Sequence, residues 1–188
     1  MELRYRHTVL GLTMGAFFAV MGGRLIISPL VPSVMDAYGV SKGTVGLALT
    51  AMWAAYGLAQ FPGGILGDRH GERRIVLAGL AAACAGALLV ATAPTFPVFL
   101  LATALVGVGG GLYFPSAASL LTRLFENTGQ ALSFHVSGGN MAGLVTPLIA
   151  AYVGVRYGWR SAIVVGAGII LAVLAVGAWR IRPTPPRR

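Results

Sequence analysis

Apolar residues along this chain fall into six long blocks, separated by short polar or proline-bearing stretches. The blocks cover roughly 8–31, 44–66, 75–93, 97–121, 130–153 and 160–179. A helix that crosses a bilayer needs about 20 mostly apolar residues, and each block is close to that length. The breaks run from Pro32 to Lys42, Gly67 to Arg74, Pro94 to Pro97, Arg123 to Gly129 and Arg156 to Trp159, all rich in turn formers or charge. None is long enough to hold a second domain. The pattern predicts one transmembrane domain over 1–180 and a polar, extended, mobile tail over 181–188. The first block follows Arg4, Arg6 and His7, as a signal peptide would. It is too long for such a segment, contains Arg24 and lacks a small-x-small cleavage site, so it reads as a retained helix.

Composition makes the membrane assignment firm. Hydrophobic residues make up 56 % of the 188 and charged ones 10 %, with a mean hydropathy of +0.79. Soluble domains carry about 25 % charged residues. A water-soluble globule and a disordered chain are both excluded, and 27 glycines without a three-residue period exclude collagen. The fold class expected is all-α integral membrane. A net charge of +9 raises the question of nucleic acid. The basic residues cluster between apolar blocks instead of lining one solvated face, which argues against it. Ten of them (Arg4, Arg6, Arg69, Arg73, Arg74, Arg123, Arg180, Arg182, Arg187 and Arg188) fall on one side of a six-span layout. Lys42, Arg156 and Arg160 fall on the other. The positive-inside rule then puts both termini in the cytoplasm of a multi-pass protein of the cell membrane. Cys84 is alone in an apolar block, so it has no partner for a disulfide or a metal site and reads as a small packing residue. No metal, cofactor or catalytic set is expected.

Glycines in the fourth and fifth blocks form the pairs Gly107/Gly111 and Gly139/Gly143, spaced for close helix approach. The halves of the chain also share short patterns. Gly22-Gly23-Arg24-Leu25 with Pro29 is similar to Gly110-Gly111-Leu112 with Pro115. Gly57 to Pro62 is similar to Gly143 to Pro147. Span one thus pairs with four and span two with five, a 3+3 inverted repeat of the kind found in transporters.

The segment from Gly63 to Arg74 reads GGILGDRHGERR. Its spacing, Gly64-x-x-x-Asp68-Arg69-x-Gly71-x-Arg73-Arg74, resembles the signature between the second and third helices of the major facilitator superfamily. The resemblance extends to six spans with the N-terminus inside and a glycine-rich fourth span closed by Pro115. It covers one six-helix half of that family's usual twelve. It implies that Gly64 lets a helix approach, that Asp68 is the acceptor of a conformational latch between halves, and that Gly71 makes the turn. Arg69, Arg73 and Arg74 become the fixing charges of that latch. Two other family motifs depart. Thr103 stands where an arginine precedes the glycine run of the fourth span. Of the fifth-span motif of drug–proton antiporters, Pro147 remains while Ala142, Thr146, Ala150 and Ala151 replace glycines.

Arg24 is the most informative single residue. A charge near the bilayer centre costs about 2.5–3.5 kcal/mol on insertion scales, and no acidic residue of the sequence lies at its depth. A guanidinium in that position is a natural fork for a carboxylate or phosphate. Bonding to carbonyls freed by Pro29 and Pro32, or reaching outward to the interface, are the structural alternatives. The family resemblance favours a substrate role for Arg24 and Tyr113, because the first and fourth helices line the cavity there. Tyr56, Gln60 and Asn140 complete the substrate-binding set. Ser137 and Asn140 share a helix face, and Ser137 to Asn140 is faintly similar to the signature of nitrate carriers. His135 is the candidate for proton coupling. Trp53, Trp159 and Trp179 read as packing or interface anchors.

The function expected is secondary active transport of a small solute, an organic or inorganic anion, by alternating access. One six-helix bundle needs a second half for this: a missing C-terminal portion, a separate chain or a copy of itself. Two other readings stand beside it. One is a non-transporting accessory protein or truncated remnant, and the more distant one is a membrane enzyme.

Overall fold

The structure, a computed structural model, describes residues 2–186, with side chains from residue 4 onward. Arg187 and Arg188, counted above among the charges of one side, lie outside the described residues. Seven α-helices account for nearly all of it: α1 (Glu2–Leu25), α2 (Val31–Tyr38), α3 (Lys42–His70), α4 (Glu72–Thr92), α5 (Phe96–Leu124), α6 (Thr128–Tyr157) and α7 (Trp159–Arg180). Five stretches are long and apolar enough to cross a membrane: Arg4–Tyr38, Glu72–Thr92, Phe96–Leu124, Thr128–Tyr157 and Trp159–Arg180. The sixth span is α3. Its glycines, threonines, Tyr56 and Gln60 dilute its hydropathy, but its 29 residues give about 44 Å of helix. The hydrocarbon core is about 30 Å thick.

Several expected breaks shrink or shift. The first span does not end at Pro32. A short 3-10 turn, Ser28–Leu30, joins α1 to α2, and the chain stays helical to Tyr38. Pro29 and Pro32 sit at the starts of these two elements, where a missing N–H is tolerated. They have none to offer the preceding turn, so α1 cannot run through unbroken. The stretch from Gly67 to Arg74 is helix on both sides of Gly71, whose φ is 88°. Gly158, with φ 85°, is the whole connection between α6 and α7. Pro115 does not close the fourth span, since α5 continues through it to Leu124. Pro62 and Pro147 also lie inside helices.

Two pairs of helices in the bundle run parallel. In the first, α1 lies along α6. Thr13 faces His135, Met14 backs onto Gly138, and Gly22 meets Thr146. In the second, α3 lies along α5. Thr103 reaches the Ala48 carbonyl at 3.5 Å, Gly107 packs on Met52, and Ser116 donates to the Gly63 carbonyl at 3.0 Å. A side chain at Gly107 or Gly111 would collide with α3 backbone, so the expected Gly107/Gly111 pair is used. On α6 the tight positions are Gly138 and Gly139, while Gly143 has only a distant leucine methyl. Antiparallel contacts join α4 to α5, α4 to α7 and α1 to α7. Exchanging the first three spans for the last three maps these pairings onto one another. The α1–α6 pair goes to α5–α3, α7–α1 goes to α4–α5, and α4–α7 maps onto itself. An odd number of spans per repeat reverses direction, which gives the inverted repeat.

The chain thus has two ends. The near end gathers the α3–α4 and α5–α6 turns, the start of α1 and the end of α7, and the far end gathers the other turns. At the far end Tyr38, Phe96, Phe99 and Trp159 pack ring against ring, mostly edge to face. The Tyr38 hydroxyl and the Arg160 guanidinium both donate to the Ala93 carbonyl, at 2.9 and 3.1 Å. These contacts satisfy a helix end that burial would otherwise leave short of donors. Trp159 is a packing residue there. Trp179, at 76 % exposure with Arg180 lying 4.0 Å over its ring, faces outward.

Candidate functional site

Arg24 sits in the last turn of α1, near the middle of the stretch Arg4–Tyr38, and is 1 % exposed. Neither structural alternative holds: it makes no bond to a backbone carbonyl and does not reach a surface. Its Nη2 donates to the Met21 sulfur at 3.4 Å. The guanidinium lies 3.9 Å over the ring of Tyr56 and 4.7 Å from that of Trp53, both on α3. Gly110 of α5 leaves the room behind it. Nε and Nη1 have no hydrogen-bond partner, and no carboxylate forms an ion pair with it among the described residues. Each aromatic face contributes about 0.5–2 kcal/mol, the upper end applying where water is excluded. Two such faces are of the same size as the insertion cost of an arginine, about 2.5–3.5 kcal/mol. The charge therefore stays in place with two donors unused.

The expected substrate set does not form one cluster. Tyr56 joins Arg24, and Gln60 follows one turn later on the same helix, half-buried. Trp53, read from sequence as an anchor, belongs to this group and is 42 % exposed, so α3 presents one of its rings outward. Tyr113 belongs elsewhere. It is fully buried, and its hydroxyl donates to the Thr13 carbonyl at 2.7 Å. His135 Nδ1 donates to the same carbonyl at 3.1 Å. Its ring packs against Phe17, Tyr113 and Phe114, and Nε2 has no partner. Thr13 precedes Arg24 by eleven positions, about 16 Å along α1. Asn140 is exposed on α6, and Ser137 is occupied by its own helix, donating to the Phe134 carbonyl at 2.7 Å.

The Gly64–Arg74 segment also separates into distinct roles. Gly64 is not the close-approach glycine, because a Cβ there would only touch Pro115 at 4.0 Å. Gly63, against the α5 backbone, and Gly67, against Ser116, are the tight positions. Asp68 and Arg69 are exposed on the last turn of α3. Gly71 turns the chain and packs on the Thr184 carbonyl. Arg73 points at the end of α7, where Nε donates to the Ile181 carbonyl at 2.6 Å and Nη2 to that of Ala178 at 2.7 Å. Its backbone N–H donates to the Thr184 hydroxyl at 3.0 Å, so the tail expected to be free is bonded here. Arg74 is exposed.

One ion pair escaped the sequence reading. Glu72 is fully buried, and its Oε1 accepts from Arg123 Nε at 2.6 Å and from the Ser119 hydroxyl at 3.1 Å. It ties the start of α4 to the end of α5. The available signal was that Glu72 and Arg123 lie at the same end of adjacent spans.

Comparison with known proteins agrees with this architecture. The sequence model of the Major Facilitator Superfamily matches residues 12–188. The chain is 28 % identical over 183 residues to the membrane sensor protein UhpC of Salmonella typhimurium, covering 96 % of this chain and 41 % of that protein. It is 22 % identical over 188 residues to a probable sulfoacetate transporter, SauU, of Cupriavidus necator, covering 99 % and 44 %. A crystal structure of the peptide transporter POT in complex with sulfate superposes with a TM-score of 0.81 at 20 % identity, over 97 % of this chain and 40 % of that one. The chain spans less than half the length of these relatives. Six spans arranged as an inverted repeat, the signature around Asp68 and a family match over nearly the whole length lead to one conclusion: this chain belongs to the Major Facilitator Superfamily.

Proposed function

We propose that this chain is one half of a secondary transporter for a small anionic solute, with Arg24 as the group that binds the anion. The observation that carries the reading is a guanidinium at 1 % exposure with Nε and Nη1 unbonded and no carboxylate paired to it. A planar fork with free donors in a dry site matches a carboxylate, phosphate or sulfonate. Tyr56 and Trp53 hold the charge while the site is empty. An arriving anion takes the two free donors, and Tyr56 and Gln60 flank the approach. In this reading the near end is cytoplasmic, a second six-helix half closes the other side of the site, and Asp68 latches the two halves. The break at Pro29, next to Arg24, belongs with the discontinuous helices that transporters place at their binding sites.

The test uses the assembled two-half protein in proteoliposomes, with a panel of phosphate esters, sulfonates and dicarboxylates set against neutral sugars. Uptake of at least one anion is expected, lost in Arg24→Ala and reduced at least tenfold in Arg24→Lys, which keeps the charge but not the fork. Anion uptake untouched by Arg24→Ala would overturn the assignment. The name of the Salmonella typhimurium relative favours a second reading, a sensor that binds the same anion without moving it. Binding that depends on Arg24 in the absence of flux identifies that case.

A further inference from the structure

A second basic site lies at the near end, far from Arg24. His70, Arg73, Arg74, Pro183, Thr184 and Pro186 line a cavity of about 300 Å³. That is many times the space one water needs, about 10–15 Å³. Among its described residues the charged side chains are those of Arg73 and Arg74, with the imidazole of His70 beside them. Arg73 is clamped by the carbonyls of Ala178 and Ile181, which fixes its plane and leaves Nη1 unused. His70 Nδ1 lies 3.3 Å from the Leu66 carbonyl, which leaves Nε2 available. Arg74 is exposed and bonds to nothing among the described residues. The neighbouring acid, Glu72, is turned away and engaged by Arg123 and Ser119. Among the described residues no carboxylate lines the cavity. The tail forms its other wall, held by the Thr184–Arg73 bond.

We propose that this cavity binds a phosphate group, held by Arg74, by the free edge of Arg73 and by His70. Two arginines and an imidazole line one cavity, and each can donate to a tetrahedral oxyanion bound there. His70 closes α3 and the two arginines open α4, a membrane span, so they lie at headgroup level, where an anionic lipid can deliver the phosphate. Free phosphate is the other source. The inference rests on the membrane reading of the fold and is independent of Arg24 and of transport.

The experiment is native mass spectrometry of the full chain in mild detergent. Phosphatidylglycerol, phosphatidylcholine of the same acyl composition, and inorganic phosphate are added separately. The expected result is retention of phosphatidylglycerol at least tenfold above phosphatidylcholine. That preference is lost in Arg74→Gln with His70→Gln and kept in Arg180→Gln, whose guanidinium rests on Trp179. Arg74→Gln alone, at an exposed unbonded position, decides the matter if the double variant is poorly folded. Binding of inorganic phosphate that displaces the lipid supports the site and identifies the free ion as its ligand. Equal retention of the two lipids with no phosphate binding overturns the proposal, and so does equal loss in Arg180→Gln. Neither result touches anion uptake, which is read from Arg24 variants.

Discussion

A buried guanidinium without a carboxylate has to be held by something else, and here it is held by two aromatic faces and a methionine sulfur. Arg24 stood out in the sequence because charge is rare inside an apolar block. Its surroundings did not, because Trp53 and Tyr56 lie on another helix. Replacing both rings by leucine removes the faces that offset burial of the cation. Anion affinity is then expected to fall together with thermal stability in detergent, whereas Gln60→Ala lowers affinity alone. Glu72 and Asp68 offer a sharper contrast. Glu72→Gln removes a charged acceptor from a buried pair and is expected to lower stability by about 1–3 kcal/mol, seen as a lower melting temperature in detergent. Asp68 is exposed, and on the latch reading Asp68→Asn is expected to slow transport cycling in the assembled protein. Normal flux in that variant would remove the latch role.

At the level of single helices, close approach is decided by which glycine faces a backbone. Gly107 packs on the Met52 carbonyl, while Gly57 of α3 has nothing within 4 Å of its missing side chain. Gly107→Ala is expected to destabilise the α3–α5 pair and lower the melting temperature. Gly57→Ala is expected to raise it slightly, since alanine in a helix is favoured over glycine by about 1 kcal/mol. Gly71 carries a different demand. Its φ of 88° is in the region open chiefly to glycine, and the Thr184 carbonyl fills the place of a side chain. Gly71→Ala is expected to cost about 1–3 kcal/mol for the backbone alone and to release the tail, read as faster proteolysis after Arg180. The turn at Gly71 was legible from the motif. The Gly63 and Gly67 contacts were not, because a run of glycines in a helix does not say which of them faces a neighbour.

For the whole molecule, the surface poses the question of what completes it. Leu58 and Phe61 on α3, and Leu144, Leu148 and Val155 on α6, are among its most exposed apolar side chains. In a bilayer such residues face lipid or another helix bundle. The family's second half is the proposed neighbour, supplied by the rest of a longer chain, a separate chain or a second copy. Sizing in mild detergent, together with the denatured mass of the native protein, separates these. A denatured mass near twice this chain's 19.4 kDa is expected for a joined half, and a short chain running as a dimer or partnered complex for the other two. A short chain that stays a monomer would speak against any second half.

Hydropathy blocks, basic turns and one spaced signature were enough to establish a membrane bundle of six spans and its family. These are local properties: a span must bury its own backbone hydrogen bonds in lipid, so its length and apolarity are written along the chain. The inverted repeat was only faintly visible, as two short glycine–proline matches, and became plain in the exchange of α1–α6 for α5–α3. The candidate site was half legible. Arg24 and Tyr56 belong together, but Tyr113 and His135 turn away to share the Thr13 carbonyl, and Glu72 finds Arg123 across two helices. Those partnerships depend on the rotation of each helix about its axis, and packing against neighbours distant in sequence sets that rotation. The order of residues along one helix carries little of it.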